Sequence, residues 1–305
     1  MCTALSAFLH IPKLDCETSS FGGEFRDIIE AIKIPGCDQL QIHGIDPPEL
    51  VQNRSSPAYK QFLQLTKRFQ TLDGIIVNSI MEMEEGPVKA FRENRTNQSI
   101  HLVGPITQTN SKNEERGFEC VKWLEKQPEK SVLYVSFGGG GALSQDQTNE
   151  LAFGLEQSGK RFLWGMRAPS NSANVGLSST NEDPLRFLPE GFLERTKERG
   201  LVVPSWAPQV QILSHGSIGE QRLNAVMLSN GLKVALWPKM NENGIVVNEE
   251  ISKVVMSLME GEEGKEIYKR MRCLKDFVTN SWNNGGSSTM ALDEVTSKWR
   301  NFNRN

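Results

Sequence analysis

Cysteine, histidine and tyrosine are all scarce in this 305-residue chain, at five, four and three copies. Cys2, Cys16, Cys37, Cys120 and Cys273 are scattered, with no Cys-x-x-Cys pair and no histidine beside them. That excludes a zinc module or a disulfide scaffold and points to a reducing, cytoplasmic setting. The sequons at Asn53, Asn94 and Asn97 are then chance matches, because glycosylation requires secretion. No apolar run approaches the roughly 18 residues of a bilayer span, so no membrane span is expected. The start lacks a basic stretch before its short apolar patch, Ala4 to Leu9, and a His-Ile-Pro-Lys break follows, so no signal peptide is expected either. An excess of positive charge is also missing: 34 Lys+Arg against 37 Asp+Glu leave a net charge of −3. Nucleic acid and anionic membranes therefore have no electrostatic claim as partners. What remains is an ordinary soluble composition, 38% hydrophobic and 23% charged, long enough for about two domains and suited to a small-molecule role.

Residues 1 to about 70 are irregular, punctuated by Pro12, Gly22-Gly23, Pro35-Gly36 and Pro47-Pro48, with a helix expected from Ser56 to Phe69. Gly74 to Asn78 is a short apolar run of the kind that forms a buried parallel strand, and Met81 to Glu85 reads as an acidic helix start. The polar stretch 105–117 reads as a linker between an N-terminal domain, 1–104, and a C-terminal domain, 118–286.

Beyond the linker, strands and helices alternate. Val132 to Phe137 is a strand running into Gly138 to Gly141, and Ser144 with Gln147 three residues on forms a capping-box helix start. Arg161 to Trp164 and Leu201 to Pro204 read as further strands, with Gly231 to Leu236 a fourth. Ile251, Val254, Val255, Leu258 and Met259 make one wall of an amphipathic helix. Ile267, Met271, Leu274 and Val278 repeat the pattern, and Leu292, Val295 and Trp299 align on a last helix within 287–305. Such alternation implies an α/β fold, a parallel sheet covered by helices.

In a parallel sheet, ligands bind beyond the carboxyl ends of the strands, where Phe137 and the glycines 138–141 fall. Glycines there let backbone N–H groups approach an anion, and the following helix adds its positive end. A plain flexible turn would also produce this run. A nicotinamide dinucleotide fits poorly, because Leu143 stands where a third glycine belongs and Met166-Arg167-Ala168 stands where the ribose-binding acid belongs. No Gly-Lys-Ser/Thr triplet supports a P-loop.

The most specific stretch is Trp206-Ala207-Pro208-Gln209 followed by Ile212-Leu213-Ser214-His215. A flat indole beside exposed backbone groups suits stacking on a nucleobase. These residues resemble the opening of the signature box of the plant family 1 UDP-dependent glycosyltransferases, and the resemblance covers nearly the whole chain. The runs Phe8 to Asp15, Ser131 to Gly138, Leu188 to Thr196 and Leu258 to Gly264 are similar to its hydroquinone (arbutin-forming) glucosyltransferase group. The resemblance implies a GT-B fold of two Rossmann-like domains, the first taking the acceptor and the second the UDP-sugar, with 287–305 returning toward the first. It implies inverting transfer of glucose from UDP-glucose to a hydroxyl of a small phenolic acceptor, by a monomer, without metal or other cofactor. Carried over, Trp206 stacks on uracil, Ala207 and Gln209 contact base and ribose, and the turn Ser136, Gly138, Gly139, Gly140 faces the diphosphate. Gly139 stands where many members have serine. Glu220-Gln221 matches the pair that holds the sugar hydroxyls.

Two departures bear on activity. Gly219 is joined directly to Glu220, whereas the family there has a histidine and a Cys-Gly-Trp-Asn-Ser helix start on the diphosphate, then a glutamate on the ribose. The chain also begins where the family's first domain is most of the way through, so the histidine base and its aspartate partner have no counterpart and no catalytic residue is assigned. His215 matches an earlier, structural position, and His10, His43 and His101 lie outside the family's catalytic context. The expectation is a truncated transferase, impaired or inactive, missing an inner strand–helix segment. A non-catalytic chain that retains partial UDP binding, or pairs with an intact homologue, is the alternative.

Overall fold

A computed structural model describes residues 2–18, 23–28, 30–38, 40, 42–44, 49–69, 71–94, 99–106, 114–138, 142–170, 183–205, 207–213, 215, 218–219 and 232–302. The chain divides into two units. One comprises Met1–Thr107, Asn230–Leu232 and Arg272–Asn305, the other Gln108–Ser229 and Lys233–Met271.

The first unit opens with α1 (Cys2–Glu17). Pro12 lies inside this helix rather than breaking it; the ring deprives the Phe8 carbonyl of its usual donor. Then follow α2 (Glu49–Gln52), α3 (Pro57–Phe69), β1 (Gly74–Val77), α4 (Glu85–Asn94) and β2 (Ser99–Leu102). β1 and β2 pair in parallel, Gly74 opposite Ser99 and Val77 opposite Leu102, in a two-stranded sheet. Ile75, Val77, Ile100 and Leu102 pack on Val88 and Phe91 of α4. The last helix, α11 (Ser287–Phe302), belongs to this unit and lies along β2. Its Ser288 hydroxyl donates to the Gly104 carbonyl at 2.6 Å, and Glu294 reaches His101 Nδ1 at 3.4 Å.

The second unit runs α5 (Glu114–Leu124), β3 (Val132–Ser136), α6 (Gln145–Ser158), β4 (Arg161–Met166), α7 (Phe192–Thr196), β5 (Gly200–Pro204), α8 (Gln209–Leu213), β6 (Ile218–Gly219), α9 (Asn248–Glu260) and α10 (Glu262–Ser281). α10 runs on into the first unit, the division falling between Met271 and Arg272. The strands form one parallel sheet in the order β5-β4-β3-β6.

Period-two alternation sends neighbouring residues to opposite faces of this sheet. Leu133, Phe162, Trp164 and Met166 join Leu151 and Leu155 of α6, Phe192 of α7, and Ile251 and Val255 of α9. Val132, Tyr134 and Leu163 join Cys120 and Leu124 of α5, Ile212 of α8 and Ala207. Helices cover both faces, which is why β3 and β4 are apolar almost throughout.

Three local expectations are corrected. Residues 232–236 form no strand and Gly231 lies outside the described residues; Lys233 takes φ +54°, which breaks extension, and its carbonyl accepts from Arg270 Nη1 at 2.8 Å. The fourth strand is instead Ile218–Gly219, opposite Val132 and Leu133. The stretch 105–117 is not linker throughout, since Glu114 already starts α5, its acidic residues favouring a helix N-terminus. The Ser144 cap forms, its hydroxyl accepting from Gln147 N at 3.2 Å, but the Gln147 amide bonds Val246 rather than reaching back to Ser144.

Candidate functional site at the carboxyl edge of the second sheet

Three chain segments meet where β3, β4 and β5 end. β3 gives way to Phe137, which is half-exposed, and then to Gly138. Gly138 has φ +70°, and among the described residues a Cβ built there would meet nothing within 4 Å. The chain returns at Ala142 and enters α6, whose N-terminal positive end is therefore directed to the same edge. β4 exits through Arg167, and the chain beyond it is tied back by Ser170 N donating to Leu143 O at 2.9 Å. Leu143, Thr148, Gly165 and Arg167 line a small open cleft with Phe137 and Gly138. Arg167 is among the residues lining this cleft, and the N-terminal end of α6 beside it is a favourable place for an anion.

β5 leaves through a sharp bend. Ser205 takes φ +65° and its N–H donates to Met166 O at 2.7 Å, which pins the exit of β5 to the end of β4. Two residues later Ala207 puts its methyl into the core, 6% exposed, against Leu163 and Ile212. Only its backbone is left to meet a ligand. Gln209 opens α8 and donates from Nε2 to Ser136 Oγ at 3.3 Å, while Gly138 N lies 3.4 Å from the same oxygen.

Of the residues singled out from sequence, Ser136, Gly138 and Gln209 thus converge on one corner, and Ala207 lies beneath it. Gly139, Gly140, Trp206, Glu220 and Gln221 lie outside the described residues. Sequence reasoning passed over Arg167, noted only as a missing acid, and Gln147, treated only as a capping residue. The amide of Gln147 holds the segment before α9. Tyr134 was also missed, although strand alternation puts it on the face of Ser136.

The histidines do not join this corner. His10 is on α1 and His101 on β2, both in the first unit. Burial first, then Lys13, holds the His10 imidazole below its ordinary value against an opposing Glu17. Burial does the same for His101, with Lys298 and Arg92 adding and Glu294 opposing. Among the described residues no cluster of three His, Cys, Asp or Glu side chains is suited to hold a metal, and no helix is long and apolar enough to cross a membrane.

Comparison with protein-family models gives no match. Among curated proteins, the chain is 44% identical to a hydroquinone glucosyltransferase of Rauvolfia serpentina, covering 97% of this chain and 69% of that protein. It is 43% identical to UDP-glycosyltransferase 72B1 of Arabidopsis thaliana, covering 97% and 68%. Both alignments run over 330 positions, more than the 305 residues of the chain, so these relatives have positions without a counterpart here. Among solved structures, Phytolacca americana UGT2 in complex with UDP-2-fluoro-glucose and pterostilbene matches with a TM-score of 0.86 at 40% identity, over 98% of this chain and 70% of that one.

Proposed function

The chain belongs to the plant UDP-dependent glycosyltransferases, α/β proteins of the GT-B fold, and from that premise we propose that the carboxyl edge of its second sheet receives a UDP-sugar. The observation supporting this reading is the Gln209–Ser136 hydrogen bond, which brings the start of α8 against the end of β3 where the chain enters Gly138. Those are the two features a nucleoside diphosphate requires: a wall for the nucleoside and a cradle for the diphosphate. In the proposed roles Trp206, Ala207 and Gln209 serve uracil and ribose. Ser136 and Gly138 to Gly140 serve the diphosphate, with Glu220 and Gln221 on the sugar.

The reaction is transfer of glucose to a hydroxyl of a small phenolic acceptor, a class supported by the hydroquinone glucosyltransferase and the pterostilbene complex among its relatives. The acceptor oxygen attacks the anomeric carbon with inversion as UDP departs, so the leaving diphosphate gains charge. In this reading backbone donors at the turn and the N-terminal end of α6 offset that charge, with Arg167 lining the cleft beside them. The phenol needs a base to take its proton, an assistance commonly worth about 10²- to 10⁴-fold. No described residue is assigned that role. Gly219 runs directly into Glu220 without the family's diphosphate-binding histidine and helix start, so transfer by this chain is proposed to be impaired. A monomer in the cytoplasm is part of the same proposal and is tested by size-exclusion chromatography.

Labelled UDP-glucose and hydroquinone, with a UDP titration followed by tryptophan fluorescence, test the reading. UDP binding with slow or no glucoside formation is the expected result. Absence of UDP binding overturns the nucleotide site. Turnover in the ordinary enzyme range, about 1–1000 per second, overturns the impairment.

A further inference from the structure

The first unit holds a side-chain cluster that the nucleotide reading leaves without a part. On β2, Ile100 and Leu102 pack with Val88 and Phe91 of α4. Strand alternation therefore sends Ser99 and His101 together to the other face, where α11 lies. His101 Nε2 is 2.9 Å from Ser99 Oγ, and its Nδ1 is 3.4 Å from Glu294 Oε2 on α11. Lys298, one helical turn beyond Glu294, donates from Nζ to Ser99 Oγ at 3.2 Å and pairs with Glu294 Oε1 at 3.0 Å. Gly74 stands opposite Ser99 on β1, and a Cβ there would come within 2.8 Å of the hydroxyl oxygen. Glycine at this position gives the Ser99 side chain its room.

Hydroxyl, imidazole and carboxylate in that order are the groups that activate a serine. A carboxylate only accepts, so Glu294 favours the tautomer that carries its hydrogen on Nδ1. Nε2 is then an acceptor, and the Ser99 hydroxyl donates to it. Lys298 Nζ lies 3.5 Å from the same nitrogen, an arrangement that suits an unprotonated Nε2. Burial, with Lys298 and Arg92 adding and Glu294 opposing, holds His101 below its ordinary value, so the ring is a neutral base at neutral pH. The Lys298 ammonium sits beside the oxygen where negative charge gathers when Ser99 attacks a carbonyl. Ser99 is partly exposed and the side chains of Glu294 and Lys298 are more than half exposed, so the cluster opens to solvent. Stabilisation by a half-exposed ammonium is modest, which suits an ester with a good leaving group rather than an amide.

We propose that Ser99, His101 and Glu294 form a second reactive centre in this chain, a serine nucleophile that takes the acyl group of a small aryl ester. The Ser99 oxygen bonds the ester carbonyl carbon as His101 Nε2 takes its proton, and the bond from that carbon to the aryl oxygen breaks. The imidazolium returns the proton to the departing phenolate, and water then releases the carboxylic acid by the same route. Ser99 and His101 are the reacting groups. Glu294 is a positioning residue that orients the ring and offsets its charge while it carries the proton. This inference is independent of the nucleotide site.

p-Nitrophenyl acetate and a fluorophosphonate probe test it, with peptide mass spectrometry locating the adduct. The expected result is a phosphonate on Ser99 and a release of p-nitrophenol that Ser99→Ala abolishes. His101→Gln should slow that release by about 10²- to 10⁴-fold, the usual extent of general-base assistance. The rate should rise with pH as His101 loses its proton, with a midpoint below the ordinary 6.5. Glu294→Gln, at an exposed position, should move the midpoint further down because the carboxylate favours the imidazolium; a merely structural Glu294 would leave it in place. A fluorophosphonate that leaves Ser99 of the unsubstituted protein unmodified overturns the proposal with no substitution involved, as do adducts confined to lysines. So does a release rate unchanged in His101→Gln, or a midpoint unmoved in Glu294→Gln.

Discussion

Gln147 and Val246 bond each other in both directions: Val246 N donates to Gln147 Oε1 and Gln147 Nε2 donates to Val246 O, each at 2.9 Å. The pair joins the first turn of α6 to the segment entering α9, 99 residues away in sequence. Asn248 N reinforces it by donating to Glu150 Oε2 at 2.6 Å. Gln147→Glu removes the donor and sets a carboxylate against a carbonyl. It is expected to cost about 1–3 kcal/mol in urea unfolding, more than the exposed control Gln157→Glu on the same helix.

Acid should loosen the seat of α11 on β2. His101 is 5% exposed, with its Nε2 2.9 Å from Ser99 Oγ and its Nδ1 3.4 Å from Glu294. Burial, the largest cause, lowers its pKa below the ordinary 6.5. The unfolded chain then binds the proton more readily, so this contribution is complete above about pH 6.5 and is lost as pH falls below it, by at most about 1.4 kcal/mol per pH unit. Glu294, whose carboxyl is lowered first by the Lys298 hydrogen bond, acts in the same direction at more acid pH. Chemical denaturation at pH 7.5 and 5.5 checks this: the unsubstituted protein should lose more stability between the two than His101→Gln. Equal losses refute it.

Gly200 faces Phe162 across the β4–β5 ladder, and a Cβ there would approach the ring to 2.3 Å. Phe162 cannot yield, being fully buried and stacked on Phe192 at 6.0 Å. Gly200→Ala is expected to destabilise by about 1–3 kcal/mol through overpacking, read as a lower denaturation midpoint without a change in slope.

Gly138 presents the opposite situation, since among the described residues a Cβ there would meet nothing within 4 Å and its φ of +70° is what resists a side chain. Gly138→Ala should cost about 1–2 kcal/mol of stability from backbone strain, and should also weaken UDP because the methyl occupies the cradle. Gly159, at the C-terminus of α6, has φ +66° and equally open surroundings. Gly159→Ala therefore carries the same strain and should leave UDP affinity alone. Equal loss of affinity in both variants would assign the effect to stability.

The strands of the second unit were legible because both faces of the sheet are buried, so β3 and β4 are written as continuous apolar runs. Amphipathic spacing gave α9, α10 and α11 for the same reason, one covered wall each. Gly231–Leu236 carried the same apolar signature, yet its described residues 232–236 form no strand, because a left-handed Lys233 and a carbonyl engaged by Arg270 are invisible to hydropathy. Pro12 misled in the other direction, since one lost hydrogen bond was tolerated inside α1. Of the motif residues, Ser136, Gly138 and Gln209 come together at one corner. The positions of Tyr134, Gln147 and Arg167 depend on which strand lies beside which, and no local pattern contains that order.

β6 is only two residues long and accompanies β3 no further than Leu133. Among the described residues, Tyr134, Val135 and Ser136 consequently have a strand neighbour on the β4 side alone. Among those residues the end of β3 that leads into Gly138 is thus a selvedge, woven into the sheet on its β4 side. Within the described ladder the hold on the end of β3 that leads into Gly138 therefore comes from β4, one seam fastening the border where the chain turns away.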